Sequence, residues 1–423
     1  MRQPENGNPT QSRVGGMLAP PDEHSSLLHR PLSNQDDQPL WEDSRPFVKY
    51  PAHVAHVTWQ TLASNYVNVF LVFVPLGIIS AHVGWGPTAV FVLNFLAIIP
   101  LASLLSFATE ELSATLGQTL GGLLNATFGN AVELIVSIVA LMDGQIRIVQ
   151  ASMLGSILSN ILLVLGCCFV AGGIRHPSQN FNETAASTMS SLMAVSAASL
   201  ILPATLYAVM KGTEDAHKRQ DKILMLSHGT AVILLVLYVL YLVFQLKTHA
   251  HLFEEKKQKD GNDEEGQRNE TSGEAGDEEE EDKAGQVLSP WSAAVVLVVI
   301  TVLVAVCAEY LVGSIDSIVA TAGISKTFIG LILLPIVGNA AEHVTAVVVS
   351  IHNKMDLAIG VAIGSSMQIA LLVTPFLVIL GWIIGKPMTL HFETFETVVF
   401  FLSVLVTNYL IAVSVEISTR CSD

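Results

Sequence analysis

The chain has 423 residues, of which 51% are apolar and only 14% charged, with a mean hydropathy of +0.53. A soluble domain carries about 25% charge, so this chain has too little to coat a soluble surface and reads as an all-α polytopic membrane protein. Its four cysteines and the absence of any cysteine–histidine spacing argue against a disulfide framework and against zinc, and a net charge of −16 excludes a basic protein that seeks nucleic acid.

Residues 1–58 are rich in Pro, Asn, Gln and Ser without apolar periodicity, and read as a disordered tail. No apolar stretch follows Met1, so no signal peptide is expected. Glu23-His24-Ser25-Ser26-Leu27-Leu28 has the form of an acidic dileucine sorting signal. Spanning a bilayer takes about 20 apolar residues per helix, and ten stretches qualify: 62–82, 86–107, 115–142, 146–171, 185–210, 223–246, 290–313, 327–351, 356–384 and 394–415. They group as a leading helix (59–84), a first block (85–246), a loop (247–289), a second block (290–416) and an atypical tail (417–423). Within the loop, residues 254–283 hold 14 acids and 5 bases, a net of −9 that is more than half of the total. That run reads as a solvated tether or as a low-affinity collector of Ca²⁺, and it contains no EF-hand pattern. Basic residues do not settle the orientation, because Lys211, Lys218, Arg219 and Lys222 fall on one side and the lysines from Lys247 onward on the other.

The two blocks are related by an internal repeat. Thr127-Phe128-Gly129-Asn130-Ala131-Val132-Glu133 matches Ile336-Val337-Gly338-Asn339-Ala340-Ala341-Glu342 at an offset of 209, and the same offset carries Gly155-Ser156 onto Gly364-Ser365 and Ser159 onto Gln368. Glu110-Glu111-Leu112 echoes Glu309-Tyr310-Leu311 at an offset of 199. The two motif helices are five spans apart, an odd number, so the copies run through the membrane in opposite senses. Such inverted repeats are common in secondary transporters. The offset would carry the last helix of the first block past Asp423, so the second repeat is expected to lack its final helix.

A carboxylate at the bilayer centre costs about 2.5–3.5 kcal/mol on insertion scales. Glu133 and Glu342 lie in apolar runs with no Lys or Arg deep in any span to neutralise them, so a metal cation or a proton is the natural partner. Asn130 and Glu133 are three residues apart, as are Asn339 and Glu342, and each pair offers an amide oxygen beside a carboxylate. Oxygen ligands suit hard cations such as Ca²⁺, and no thiolate or histidine cluster points to a soft metal. Gly129, Gly338 and Pro335 mark places where a helix can break and free backbone carbonyls toward a cation. The alternative for these Asn and Glu residues is hydrogen bonding between helices alone. Ser152, Ser156 and Ser159, with Ser365 and Gln368, are either cation-facing or close-packing positions. Glu110 and Glu309 stand toward helix ends, where they either exchange protons or reach to the interface. Glu111 and Asp316 read as interfacial. His343 fits pH sensing or packing, and His228 reads as structural.

The paired Gly129–Glu133 and Gly338–His343 segments, with Gly155-Ser156-Ile157-Leu158-Ser159 and Gly364-Ser365-Ser366-Met367-Gln368, resemble the cation/proton exchanger family of the CaCA superfamily, and most of all its fungal vacuolar Ca²⁺/H⁺ exchangers. The resemblance runs from about Trp59 to Ala412. It implies eleven helices, one leading helix plus two inverted five-helix repeats, against about ten spans here. It also implies export of cytosolic Ca²⁺ into the vacuole driven by protons, with Mn²⁺ a further potential cargo. The N-terminal tail and the acidic loop are then cytosolic. The cation site it implies is Glu133 and Glu342 with Asn130, Asn339 and Gln368 nearby, flanked by Glu110 and Glu309 as proton-linked acids. The chain departs from the family's pattern after Val413. No resident cofactor, enzymatic activity or nucleic-acid partner is expected, and the oligomeric state stays open. The rival readings are a Na⁺/Ca²⁺ exchanger of the same superfamily, separable by its dependence on a proton gradient, and a shortened regulator that does not transport. An ATP-driven pump would need a P-loop or a phosphorylated Asp motif with large soluble domains, and the sequence holds none.

Overall fold

The computed structural model describes residues 55, 58–62, 65–176, 178–179, 181–210, 216–249 and 288–422. The chain divides into Met1–His56 and Val57–Asp423. The expected tail, its dileucine motif and nearly all of the acidic loop lie outside the described residues.

The described part of Val57–Asp423 is helical, with no strand among the described residues. In chain order the helices are α1 (Tyr66–Val83, opening with a 3₁₀ segment), α2 (Pro87–Thr115), α3 (Gly117–Phe128), α4 (Ala131–Met142), α5 (Ile146–Arg175), α6 (Glu183–Met210), α7 (Ala216–Val243), α8 (Pro290–Gly313), α9 (Ile315–Ala322), α10 (Lys326–Gly338), α11 (Ala340–Ile351), α12 (Met355–Ile383) and α13 (Thr394–Ser422). Helices dominate because a chain in hydrocarbon must satisfy its backbone polar groups internally. Eight helices are long and apolar enough to cross a membrane, and α10 with α11, bent by 58° at their junction, make a ninth. The remaining expected span, 115–142, consists of the two short helices α3 and α4, of which α4 is apolar. The backbone stays helical through the segment set apart as an atypical tail, as far as Ser422.

Packing follows the repeat. Counterpart helices lie against each other: α2 against α8, α5 against α12, and α6 against α13. Cross-contacts are also exchanged, with α4 packing on α8 and α11 on α2. This reciprocity is what two interlocked inverted repeats require. The centre is formed by α5 and α12, where Ile148, Met153, Leu154, Ser156, Ala362 and Met367 are all at most 1% exposed. Apolar side chains such as Ile174, Ile383 and Phe395 stay exposed on the outside, as lipid-facing positions do.

Two features fix how α5 crosses its neighbours. First, Gly155 of α5 sits directly against the Leu331 carbonyl and the Pro335 ring of α10. A Cβ on Gly155 would lie 2.2 Å from the Leu331 oxygen and 2.6 Å from Pro335 Cγ. Second, α5 and α12 each contain a π-helical segment, Ser159–Val164 and Ile369–Val373, and the offset of 209 carries one onto the other. A π segment inserts an extra residue and re-aims the side chains around it.

Candidate functional site

The two sequence motifs converge on the central helices. The chain turns at Gly129 and Asn130 between α3 and α4, and at Asn339 between α10 and α11. The expected helix breaks are therefore present, although the second falls four residues beyond Pro335. Glu133 and Glu342 stand in the first turns of α4 and α11, at helix N-termini where the backbone dipole favours negative charge. Glu133 is 5% exposed. Its side chain lies on the backbone of Gly338 in the other repeat, where an added Cβ would come within 2.7 Å of Oε1. It also borders a small cavity with Ser152, Ile98, Val337 and Gly338.

Ser365 on α12 is the hub of a polar network. Its hydroxyl lies 3.0 Å from both Asn130 Oδ1 and Glu342 Oε2, and its oxygen accepts from Asn160 Nδ2 at 3.1 Å. Asn130 Nδ2 donates to Gln368 Oε1 at 2.7 Å. Asn339 Nδ2 reaches Asn160 Oδ1 at 3.5 Å. His343 Nε2 is 3.3 Å from Ser159 Oγ. Five of the seven expected cation-site residues, Asn130, Asn339, Glu342, Ser365 and Gln368, are thus joined directly or through Asn160, and Glu133 lies beside Gly338. Ser156 is fully buried one turn before Asn160.

Sequence reading overlooked Asn160, which is 2% exposed and links Asn339 to Ser365. Its counterpart at the repeat offset is Ile369, so a search for symmetric positions passes it by. The one available signal was an amide within an otherwise apolar run. Glu110 and Glu309 are exposed on α2 and α8, and no hydrogen bond among the described residues joins either to the network.

Glu133 Oε1, Ser156 Oγ and Asn339 Oδ1 are buried without a hydrogen-bond partner among the described residues. Burying polar oxygens unpaired is costly, so three at matching motif positions mark a place built to receive a ligand. The donor set is two carboxylates, amide oxygens and hydroxyls. No group of three His, Cys, Asp or Glu side chains gathers among the described residues, so the amides and hydroxyls must supply the rest of a coordination shell. Such oxygens suit a hard divalent cation.

A second polar cluster lies at one end of the bundle. Arg147, in the first turn of α5, forms a two-pronged pair with Glu396 and reaches Glu393 at 3.2 Å and Thr327 at 3.2 Å. Lys326 pairs with Asp316 at 2.6 Å and donates to Gln145 at 2.8 Å. These contacts tie the start of α5 in the first repeat to α9, α10 and α13 in the second.

The model of the sodium/calcium exchanger protein family matches residues 86–247 and 292–420. The chain belongs to this family. The family match runs to residue 420, beyond the point after Val413 where the sequence was expected to depart. Among similar proteins, the vacuolar calcium ion transporter of Schizosaccharomyces pombe is 52% identical over 359 residues, 85% of this chain and 82% of that one. The Ca²⁺/H⁺ antiporter of Synechocystis is 44% identical over 345 residues, 82% of this chain and 90% of that one. The solved structure of native YfkE, at 35% identity, aligns with a TM-score of 0.63 over 82% of this chain and 91% of its own. A structure of the H⁺/Ca²⁺ exchanger CAX, at 15% identity and a TM-score of 0.56, shares the fold. This sodium/calcium exchanger family member gathers its motifs on the central helices α5 and α12 and the turns beside them.

Proposed function

We propose that this chain is a secondary active antiporter that exchanges Ca²⁺ for H⁺ across the vacuolar membrane and sequesters cytosolic Ca²⁺ by alternating access. The observation that carries this reading is that the motif carboxylates of both repeats, Glu133 against Gly338 and Glu342 on Ser365, stand with buried unpartnered oxygens at the central helices. Two carboxylates balance one divalent ion, and two protons can replace it. Competition for the same oxygens then couples the two flows without any covalent step. Asn130, Asn339, Ser156, Ser365 and Gln368 complete the polar lining, and Ser365 orients Glu342. Glu110 and Glu309 relay protons outside the network. The vacuolar calcium transporter of Schizosaccharomyces pombe and the antiporter of Synechocystis support the choice of cargo, of proton coupling and of membrane. On this reading the N-terminal tail and the acidic loop face the cytosol. Mn²⁺, which takes similar oxygen ligands, competes for the same site.

The test is Ca²⁺ uptake into vesicles with an imposed acid-inside pH gradient. Uptake is expected to collapse with a protonophore, and to be lost when Glu133→Gln and Glu342→Gln are combined. Uptake that survives the double variant would remove the site assignment. Uptake driven by a sodium gradient and indifferent to the protonophore would establish sodium coupling instead.

A further inference from the structure

The hydrogen-bond network is strongly one-sided. Most members of the hub have a polar counterpart at the offset of 209: Ser365 corresponds to Ser156, Asn130 to Asn339, Glu342 to Glu133, and Gln368 to Ser159. In the observed wiring, Ser365 bonds Asn130, Glu342 and Asn160. The counterpart atoms Ser156 Oγ, Asn339 Oδ1 and Glu133 Oε1 have no hydrogen-bond partner among the described residues. The steric relation is one-sided too. Glu133 lies on the backbone of Gly338, whereas a Cβ on Gly129 would meet only the carbonyl of Asn125 in its own helix.

In a carrier built of inverted repeats, the two access states are related by exchanging the roles of the repeats. The exchanged state would wire Ser156 to Asn339 and Glu133, and release Ser365. Two members of the network have no polar counterpart, His343 opposite Leu134 and Asn160, and only Asn160 is bonded to the hub. The place of Asn160 would fall to Ile369, fully buried and without a polar side-chain atom. The bridge from Asn339 through Asn160 to Ser365 is available in one state only.

We propose that Asn160 is a positioning residue that biases the empty carrier toward the access state seen here, and that this bias makes the two membrane faces unequal in apparent Ca²⁺ affinity. The inference rests on the antiport reading above. An affinity measured from the disfavoured side is weakened by the fraction of carrier that must first be converted. A buried hydrogen bond supports a bias of about fivefold.

The test measures apparent KM for Ca²⁺ from each side of oriented vesicles: uptake with acid inside, and release from preloaded vesicles with acid outside. Asn160→Ala removes the bridge from this state, and Ile369→Asn supplies one to the other state. Both are expected to move the ratio of the two KM values in the same direction by about fivefold, although one deletes a polar group and the other adds one. The combined Asn160→Ile and Ile369→Asn exchange is expected to move the ratio further in that direction than either change alone. General damage to the fold would instead lower the maximal rate in both directions and leave the ratio alone. An unchanged ratio in a variant that still transports overturns the proposal. Should Asn160→Ala fail to fold, Ile369→Asn carries the same test. Failure of the antiport reading would show in the wild type itself, as uptake that does not respond to the proton gradient.

Discussion

Adding one methyl group at each of two glycines separates the scaffold from the site. On Gly155 a Cβ would stand 2.2 Å from the carbonyl oxygen of Leu331, about 1.2 Å short of ordinary contact, with Pro335 Cγ at 2.6 Å behind it. Both obstacles belong to the backbone or a rigid ring, so only separation of α5 from α10 can relieve them. Overpacking typically costs about 1–3 kcal/mol, and an immovable neighbour puts Gly155→Ala at the upper end. On Gly338 the nearest atom is Glu133 Oε1 at 2.7 Å, the far end of a side chain that rotates away at little cost to the fold. Gly338→Ala is therefore expected to keep its thermal midpoint in detergent within about 1 kcal/mol of wild type while Ca²⁺ uptake falls about tenfold or more, because the carboxylate is displaced from a site that depends on placement to within about 1 Å. Gly155→Ala is expected to lower the midpoint by several degrees and to reduce the amount of folded protein. The assays are a thermal shift on purified protein and initial uptake rates normalised to folded protein. Equal midpoints for the two variants, or full uptake by Gly338→Ala, would refute the placement of Glu133 against the opposite repeat.

Two further outcomes concern the polar cluster at the end of the bundle. Glu396→Gln neutralises the buried partner of Arg147, whose side chain is 26% exposed; water and the remaining Glu393 screen its charge, so the loss is expected at about 1 kcal/mol in a thermal or denaturant titration, and a neutral result would mean that the pair does not tie α5 to α13. His391, its ring tilted against that of Tyr207 with centroids 4.2 Å apart, is held below its ordinary value near 6.5 by burial and then by Arg147, with Glu393 opposing. The folded state then takes up the proton less readily than the unfolded chain, so its contribution is complete above about pH 6.5 and declines as pH falls through that value. The thermal midpoint is expected to drop between pH 7.5 and 5.5 by less in His391→Phe than in wild type, and an equal drop would assign the dependence elsewhere.

Composition made the spans legible, and the offset of 209 made both motifs legible, because apolar length and recurring Gly-Asn-x-x-Glu patterns are local properties. The place where each helix turns was less accessible: Pro335 suggested a break, yet the helix runs on past it with its ring close to Gly155, and the turn comes at Asn339. The pair of Arg147 with Glu396 joins residues 249 positions apart and has no periodic signature. Asn160 was hidden for a more instructive reason. A repeat identifies positions that serve in both access states, since each copy must take the other's part in turn. A residue that distinguishes the states has to break the repeat, and Asn160 opposite Ile369 does so. Symmetry in the sequence therefore locates the machinery that is common to both states, while the asymmetric residues beside it, visible only once the helices are packed, determine which state the empty carrier prefers.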